Sequence, residues 1–258
     1  MRRTSLVAAA LAVASSGLVA GTTVAASAAP VLTHTPRVSA PHSYKVRHTG
    51  WSASNWSGYA KSGTYTSATA QWVVPSVSRT TGASYSSAWL GIDGFTNSDL
   101  IQTGTESDWR SGAAHYNAWW EILPAAETPI TSFTVHPGDK MSASIAKGSG
   151  SSWTITIKDL TDNGSFTTTK TYSGPGASVE WIEEAPEVNG RIATLAHYSS
   201  PDTFDPGTAN GGNPQLAASN GGVMIQNGKQ VSTPSVPDSD TDGFNMAYGA
   251  TAPAPPSS

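Results

Sequence analysis

Ala68-Thr69-Ala70-Gln71-Trp72-Val73-Val74-Pro75 is the stretch that decides the fold. Ala68, Ala70, Trp72 and Val74 alternate with Thr69, Gln71 and Val73, and Pro75 stops the run. A period of two sends the first set to one face and the second to the other, the mark of a half-buried β-strand. Outward from this stretch, similar runs recur at intervals of about ten residues with turn residues between them, a sandwich or barrel signature. Candidate strands are 84–92, 100–103, 115–123, 140–145, 152–159, 165–172 and 178–184, with Asp162-Asn163-Gly164 as a hairpin turn. Farther on, 192–198, 222–226 and 244–248 read as strands. Residues 199–222, rich in Gly, Pro and Asn, read as one long loop, and 251–258 as a disordered tail. No internal repeat is visible. The expectation is a single all-β domain over residues 51–250.

Composition supports this reading. Of 258 residues only 12% are charged, about half the usual share. Nine Trp, 25 Gly and 17 Pro supply strand aromatics and turn residues instead. With 14 basic and 18 acidic residues the net charge is −4, which argues against nucleic acid or an anionic membrane as partner. The absence of Cys excludes disulfides, thiol catalysis and thiolate metal sites. There is no G-x-S-x-G elbow, H-E-x-x-H, P-loop or dinucleotide fingerprint, so neither a cofactor nor a metal is expected. A monomer is expected as well.

The N-terminus carries an address. Residues 1–29 read as a secretory signal: Arg2 and Arg3, a mostly apolar run from Leu6 to Ala20, and the Ala26-Ser27-Ala28 cleavage pattern. The apolar run falls short of the ~20 residues needed to span a bilayer, so the expected location is extracellular. Residues 30–50 hold Arg37, Lys45, Arg47, His34, His42 and His48 and no acid. Residues 1–50 contain five of the 14 basic residues and none of the 18 acidic ones, leaving a body of 9 minus 18, or −9. A basic leader ahead of an acidic body suggests a propeptide held partly by charge, which acid would release by neutralising carboxylates. A linker without a role is the alternative.

Few residues in the body suggest chemistry. His115, His136 and His197 have no evident partners. Asp238-Ser239-Asp240-Thr241-Asp242-Gly243 matches the first half of a calcium loop, but its twelfth position is Gly249 rather than Glu, which favours a solvated turn. Asn55-Trp56-Ser57 and Asn163-Gly164-Ser165 are glycosylation sequons. Glu180, Glu183, Glu184 and Glu187 crowd a chain that otherwise rations charge. On a strand, Glu180, Ile182 and Glu184 share a face, with Glu180 and Glu184 about 13 Å apart, too far to share a proton. A catalytic partner for either must come from another strand, and taken alone the segment reads as a solvated strand end.

Five segments in order change that judgement: Asn55-Trp56-Ser57-Gly58-Tyr59, Ala88-Trp89-Leu90-Gly91-Ile92-Asp93-Gly94, Leu100-Ile101-Gln102-Thr103-Gly104, Ala118-Trp119-Trp120-Glu121-Ile122-Leu123-Pro124 and Val179-Glu180-Trp181-Ile182-Glu183-Glu184. Together they resemble the glutamic peptidases (eqolisins), secreted acid endopeptidases. The resemblance covers most of 51–250 and is weakest after Ser199. It implies a β-sandwich of two curved antiparallel sheets, concanavalin A-like or jelly-roll-like, acting on protein or peptide substrates. It also implies that Gln102 and Glu184 are the catalytic pair. Trp89, Asp93, Asn117, Trp119 and Glu121 would bind substrate or support the site. Asn117 stands where some relatives have Asp, and Glu183 where the family often has an aliphatic residue. Two rival readings use the same residues. A jelly-roll glycoside hydrolase would pair Glu121 with Glu184. A carbohydrate-binding sandwich would use Trp89, Trp119 and Trp120 as stacking platforms.

Overall fold

The computed structural model describes residues 30–40 and 49–258. The proposed signal at 1–29, and His42, Lys45, Arg47 and His48 of the leader, lie outside the described residues. The leader supplies β1 (Leu32–Thr33), and the body opens with β2 (Trp51–Ala53), β3 (Trp56–Ser62) and β4 (Ser67–Val73). A meander follows: β5 (Ser87–Ile92), β6 (Ile101–Arg110), β7 (Ala113–Ile122) and β8 (Thr128–Ile130). Next come β9 (Lys140–Lys147), β10 (Ser152–Asp159), β11 (Ser165–Thr171) and β12 (Ser178–Glu184). The chain closes with β13 (Glu187–Val188), β14 (Arg191–Ile192), β15 (Asp202–Ala209), β16 (Gly221–Gln226), β17 (Lys229–Pro234) and β18 (Phe244–Tyr248).

Most of these strands form two antiparallel layers, while β1, β13 and β14 make a separate three-stranded sheet and β2 pairs parallel with β16. The back layer runs β11-β10-β9-β4-β15 and the front layer β3-β12-β5-β6-β7-β8, with β18, β17 and β16 carrying the ladder from one to the other. The opening stretch of the sequence behaves as its alternation requires: Ala68, Ala70, Trp72 and Val74 are buried between the layers. They meet Leu90, Ile92 and Ile101 from the front and Ile145, Trp153 and Ile155 from the back. The Trp72 indole donates to Thr105 Oγ1 at 2.9 Å, satisfying the one polar group that this core strand buries on its inward face.

Three sequence expectations need correction. Residues 199–222 are not one loop, because β15 occupies Asp202–Ala209 and pairs with β4 and β18. Its register shifts between Phe204 and Gly207, and that bulge breaks the alternation that would have revealed the strand. Residues 192–198 are mostly irregular: Ile192 ends β14, and beyond it only isolated bridges form, Leu195 with Tyr85 and Tyr198 with Val77. The acidic segment 180–184 is not a solvated strand end, since every residue of β12 is buried. The tail 251–258 forms no strand or helix, although Asn245 Nδ2 donates to the Ala254 carbonyl at 2.9 Å.

Candidate active site

Register across the front layer builds one chemical face. Glu184 lies opposite Trp56 on one side and Ser87 on the other; Ser87 faces Glu106, and Glu106 faces Asn117. The next row is Ile182, Trp89, Gly104 and Trp119, and the third is Glu180, Gly91, Gln102 and Glu121. Side chains alternate across a strand, so these three rows share the face turned away from the inter-layer core. The glycines make room. A Cβ on Gly104 would lie 2.4 Å from both the Ala88 carbonyl oxygen and Trp89 Cβ, so only glycine lets β6 lie this close to β5.

The leader crosses this face as an extended chain. Leu32 and Thr33 pair with Val188 and Glu187, and the Leu32 carbonyl accepts from the Glu127 amide at 3.3 Å. Farther along, Val38 N donates to Asn55 Oδ1 at 2.8 Å, and Arg37 N to the Gly94 carbonyl at 3.1 Å. His34, fully buried, sits between these anchors. Its carbonyl accepts from Gln102 Nε2 at 2.7 Å, and its amide donates to Glu121 Oε2 at 2.9 Å. Its ring stacks on Trp119 with centroids 3.6 Å apart and planes 2° from parallel. Nδ1 is 3.1 Å from Glu184 Oε2, while Nε2 is 3.0 Å from Glu106 Oε1 and 3.3 Å from Glu127 Oε2.

Other contacts hold the cluster in place. Gln102 Nε2 also donates to Glu121 Oε2 at 2.8 Å, an oxygen that accepts from the His34 amide as well. Trp89 Nε1 donates to Glu184 Oε2 at 2.8 Å, and the Asn55 amide reaches Glu184 Oε1 at 3.5 Å. Trp119 Nε1 donates to Ser87 Oγ at 3.0 Å.

Burial dominates the electrostatics. It pushes the Glu106 carboxyl up to about 7, with the Glu127 charge adding to the rise, although His34 opposes it. Burial likewise raises Glu121 to about 8 against the opposing pull of His34. Glu184 is also raised by burial, less strongly because His34 and Trp89 favour its charged form. For His34 burial acts downward, but its contacts with Glu106, Glu127 and Glu184 outweigh it and hold the imidazole well above its usual range.

Of the residues singled out from the sequence, Gln102, Glu184, Trp89, Trp119 and Glu121 come together here. Asn117 faces Glu106 and lines the adjoining hollow beside Leu32, Glu127 and Pro129. Asp93 does not join them. At a φ of 73° it leaves β5, and its carboxylate accepts from Tyr172 Oη (2.6 Å), Gly176 N (2.8 Å), Ala177 N (2.7 Å) and Asn97 Nδ2 (2.9 Å). It anchors the 172–177 segment. Trp120 faces the opposite way, half-buried, with Lys170 Nζ 4.8 Å from its ring. The sequon at Asn55 is buried and hydrogen-bonded, which removes it as a glycosylation acceptor.

Three residues of the site escaped the sequence reading: His34, Glu106 and Glu127. Glu106 had a usable signal, lying four residues beyond Gln102 on the same face of one strand. Among the described residues, three sets of side chains bring ligand-type atoms within 4.8 Å of one another: His34 with Glu106 and Glu127, His136 with Asp139 and Asp162, and Asp205 with Asp238 and Asp242. In the first, Nε2 meets hydrogen-bond geometry with Glu127 Oε2, while Glu106 Oε1 stands at ion-pair distance and both Glu106 oxygens lack a hydrogen-bond partner.

An extended peptide laid on a β-sheet face, its carbonyl on an amide donor and a buried carboxylate beside it, is an arrangement suited to an endopeptidase cleft. The chain belongs to the Peptidase A4 family, whose model matches residues 54–247. It is 30% identical over 197 residues to aspergillopepsin-2 of Aspergillus niger, covering 67% of this chain and 70% of that protein. It is 37% identical over 112 residues to scytalidopepsin B of Scytalidium lignicola, covering 42% and 41%. Among solved structures it is similar to scytalido-glutamic peptidase bound to a transition state analog inhibitor, at 26% identity and a TM-score of 0.66, covering 76% of this chain and 98% of that one. Aspergilloglutamic peptidase from Aspergillus niger gives 26% identity and 0.53, covering 64% and 99%. The chain is therefore a glutamic-type endopeptidase, which decides between the peptidase and its two carbohydrate-directed rivals.

Proposed function

We propose that the protein hydrolyses peptide bonds at acidic pH with Glu184 as general base and Gln102 as oxyanion donor. One observation carries the reading: the Gln102 amide holds a backbone carbonyl at 2.7 Å while the same residue, His34, reaches Glu184. A carboxylate at that position can take a proton from water as the water attacks the carbonyl carbon, then pass it to the leaving amine. Gln102 does not titrate, so its N–H remains a donor to the developing oxyanion at any acidic pH. Glu121, accepting from the same amide, orients it.

Residues 30–50 are the propeptide of this enzyme in the same reading. With residues 30–40 in place, both members of the pair are occupied, and burial favours the neutral form of Glu184, which cannot act as a base. Departure of the leader admits water, lets the carboxyl return toward its ordinary range and frees the cleft. Residues 1–29 direct secretion and are removed. The reading is tested with Gln102→Ala and Glu184→Gln in the full chain, assayed on denatured protein at pH 4. Each variant loses nearly all turnover while keeping the wild-type circular dichroism spectrum. Substantial activity in either one removes that residue from the mechanism.

A further inference from the structure

The contacts of His34 show which substrates the cleft selects, provided that the Glu184–Gln102 reading holds. Its carbonyl occupies the position of the bond to be cut, so its side chain occupies the pocket for the residue on the acyl side of that bond. That pocket is unlike a general apolar recess. Carboxylates stand at opposite ends of a flat slot, with Glu184 Oε2 3.1 Å from Nδ1 at one end. At the other, Glu106 Oε1 and Glu127 Oε2 lie 3.0 and 3.3 Å from Nε2. The Trp119 indole forms the floor, parallel to the ring within 2°.

Only a ring that donates from both ends fills such a slot. Protonated imidazole has an N–H on each nitrogen and a planar body that stacks on an indole. A phenyl ring stacks but takes away the donors that His34 offers Glu184 and Glu127 and the positive charge beside Glu106, and sites built for a hydrogen-bonding group reject analogues lacking it strongly. An ammonium group on a flexible stem is a compact point charge that reaches one end at a time. We infer that Glu106, Glu127 and Trp119 form a subsite that selects histidine immediately before the cleaved bond, with His34–Thr35 as the chain's own internal copy of that substrate. Glu106 and Glu127 are specificity-determining residues here, and the pair serves a step in which water adds to the histidine carbonyl carbon. The C–N bond then breaks, and the proton taken from water leaves with the amine.

The test compares Leu-Thr-His-Thr-Pro peptides with their Phe counterparts in two assays. In the first, acid-treated full-length protein hydrolyses both, and kcat/KM for the His peptide exceeds that for the Phe peptide by about tenfold or more. The Glu106→Gln/Glu127→Gln variant brings that ratio close to one. In the second, the full chain carrying His34→Ala and Gln102→Ala, which is unable to turn over and keeps every side chain of the slot, binds the same peptides in a calorimeter, and the His peptide again binds more tightly. Equal or reversed preference in the binding assay overturns the subsite while leaving the peptidase reading intact. Absence of any hydrolysis together with preferential His binding supports the subsite and removes the catalytic pair instead. Should the double Gln variant fold poorly, Trp119→Leu replaces it, and an undiminished His preference in that variant overturns the stacking floor and with it the proposal.

Discussion

At the level of single residues, the proposed mechanism requires the Glu184 carboxylate to be ionised. Burial works against that, and the Trp89 N–H, 2.8 Å from Glu184 Oε2, works for it. Trp89→Phe removes the donor while retaining the ring that packs edge-on to Trp56 at 4.9 Å. Losing it favours the neutral acid, so the acid limb of the kcat/KM profile moves to higher pH. A hydrogen bond to a charged group contributes about 1.5–3 kcal/mol, so kcat/KM at pH 3 falls by about tenfold or more. An unmoved limb in the pH–rate profile would show that Trp89 only packs. Legibility at this scale was uneven. Gln102, Glu184, Trp89 and Glu121 could be recognised because each sits in a short segment with a resemblance of its own. His34 could not, since its partners Gln102, Glu121 and Glu184 are 68, 87 and 150 residues away, and local pattern says nothing about such separations.

Among the elements, the leader strand and the front layer matter most. Alternation in 68–74 revealed which face that strand buries, and the structure keeps it, whereas 178–184 is buried on both faces, which its pattern did not reveal. Alternation also failed for β15, where a bulge offsets the period, and for β1, which is two residues long and extended only because β13 and the cleft hold it. The composition of 30–50, a basic segment before an acidic body, suggested a segment held by charge without saying which residue makes the contact. His34 is that residue among the described ones. In the full chain, His34→Ala takes away the contacts with Glu184, Glu106 and Glu127 and the Trp119 stack while leaving the backbone anchors. The expected result is an initial rate of protein hydrolysis several-fold above wild type, with a shortened lag, followed in a continuous fluorescence assay. An unchanged lag and rate would mean that the leader does not close the cleft.

For the whole molecule, the notable feature is a set of buried carboxyls that favour their neutral forms. Besides Glu106 and Glu121, burial pushes Asp202 up to about 8, and raises Glu183 beside it, Glu180 and Asp108. Each binds a proton in the native state at a pH where the unfolded chain has released it. Stability therefore falls as pH rises through the raised values and is recovered on acidification. His34 acts in the same direction, because a raised imidazole contributes its stabilisation below its ordinary range and loses it as pH climbs. The melting temperature of the full chain should rise by more than about 5 °C between pH 8 and pH 5. A melting temperature that falls over that interval would contradict the burial pattern. With only 12% charged residues the chain has few ion pairs for acid to disrupt. The structure adds a stronger cause of acid tolerance, burial of the acids that are present, which composition does not reveal.

The central claim is that one β-sheet face, with Glu184 and Gln102 at its middle, cuts peptide bonds in acid. Its most direct test is the hydrolysis of denatured casein between pH 2 and 7 by acid-treated full-length protein, with Glu184→Gln alongside and pepstatin as a control. The account predicts activity confined to the acidic range, unaffected by pepstatin and abolished by the substitution. Casein left intact at every pH by a folded protein whose leader has been released, or cut equally well by Glu184→Gln, would contradict it.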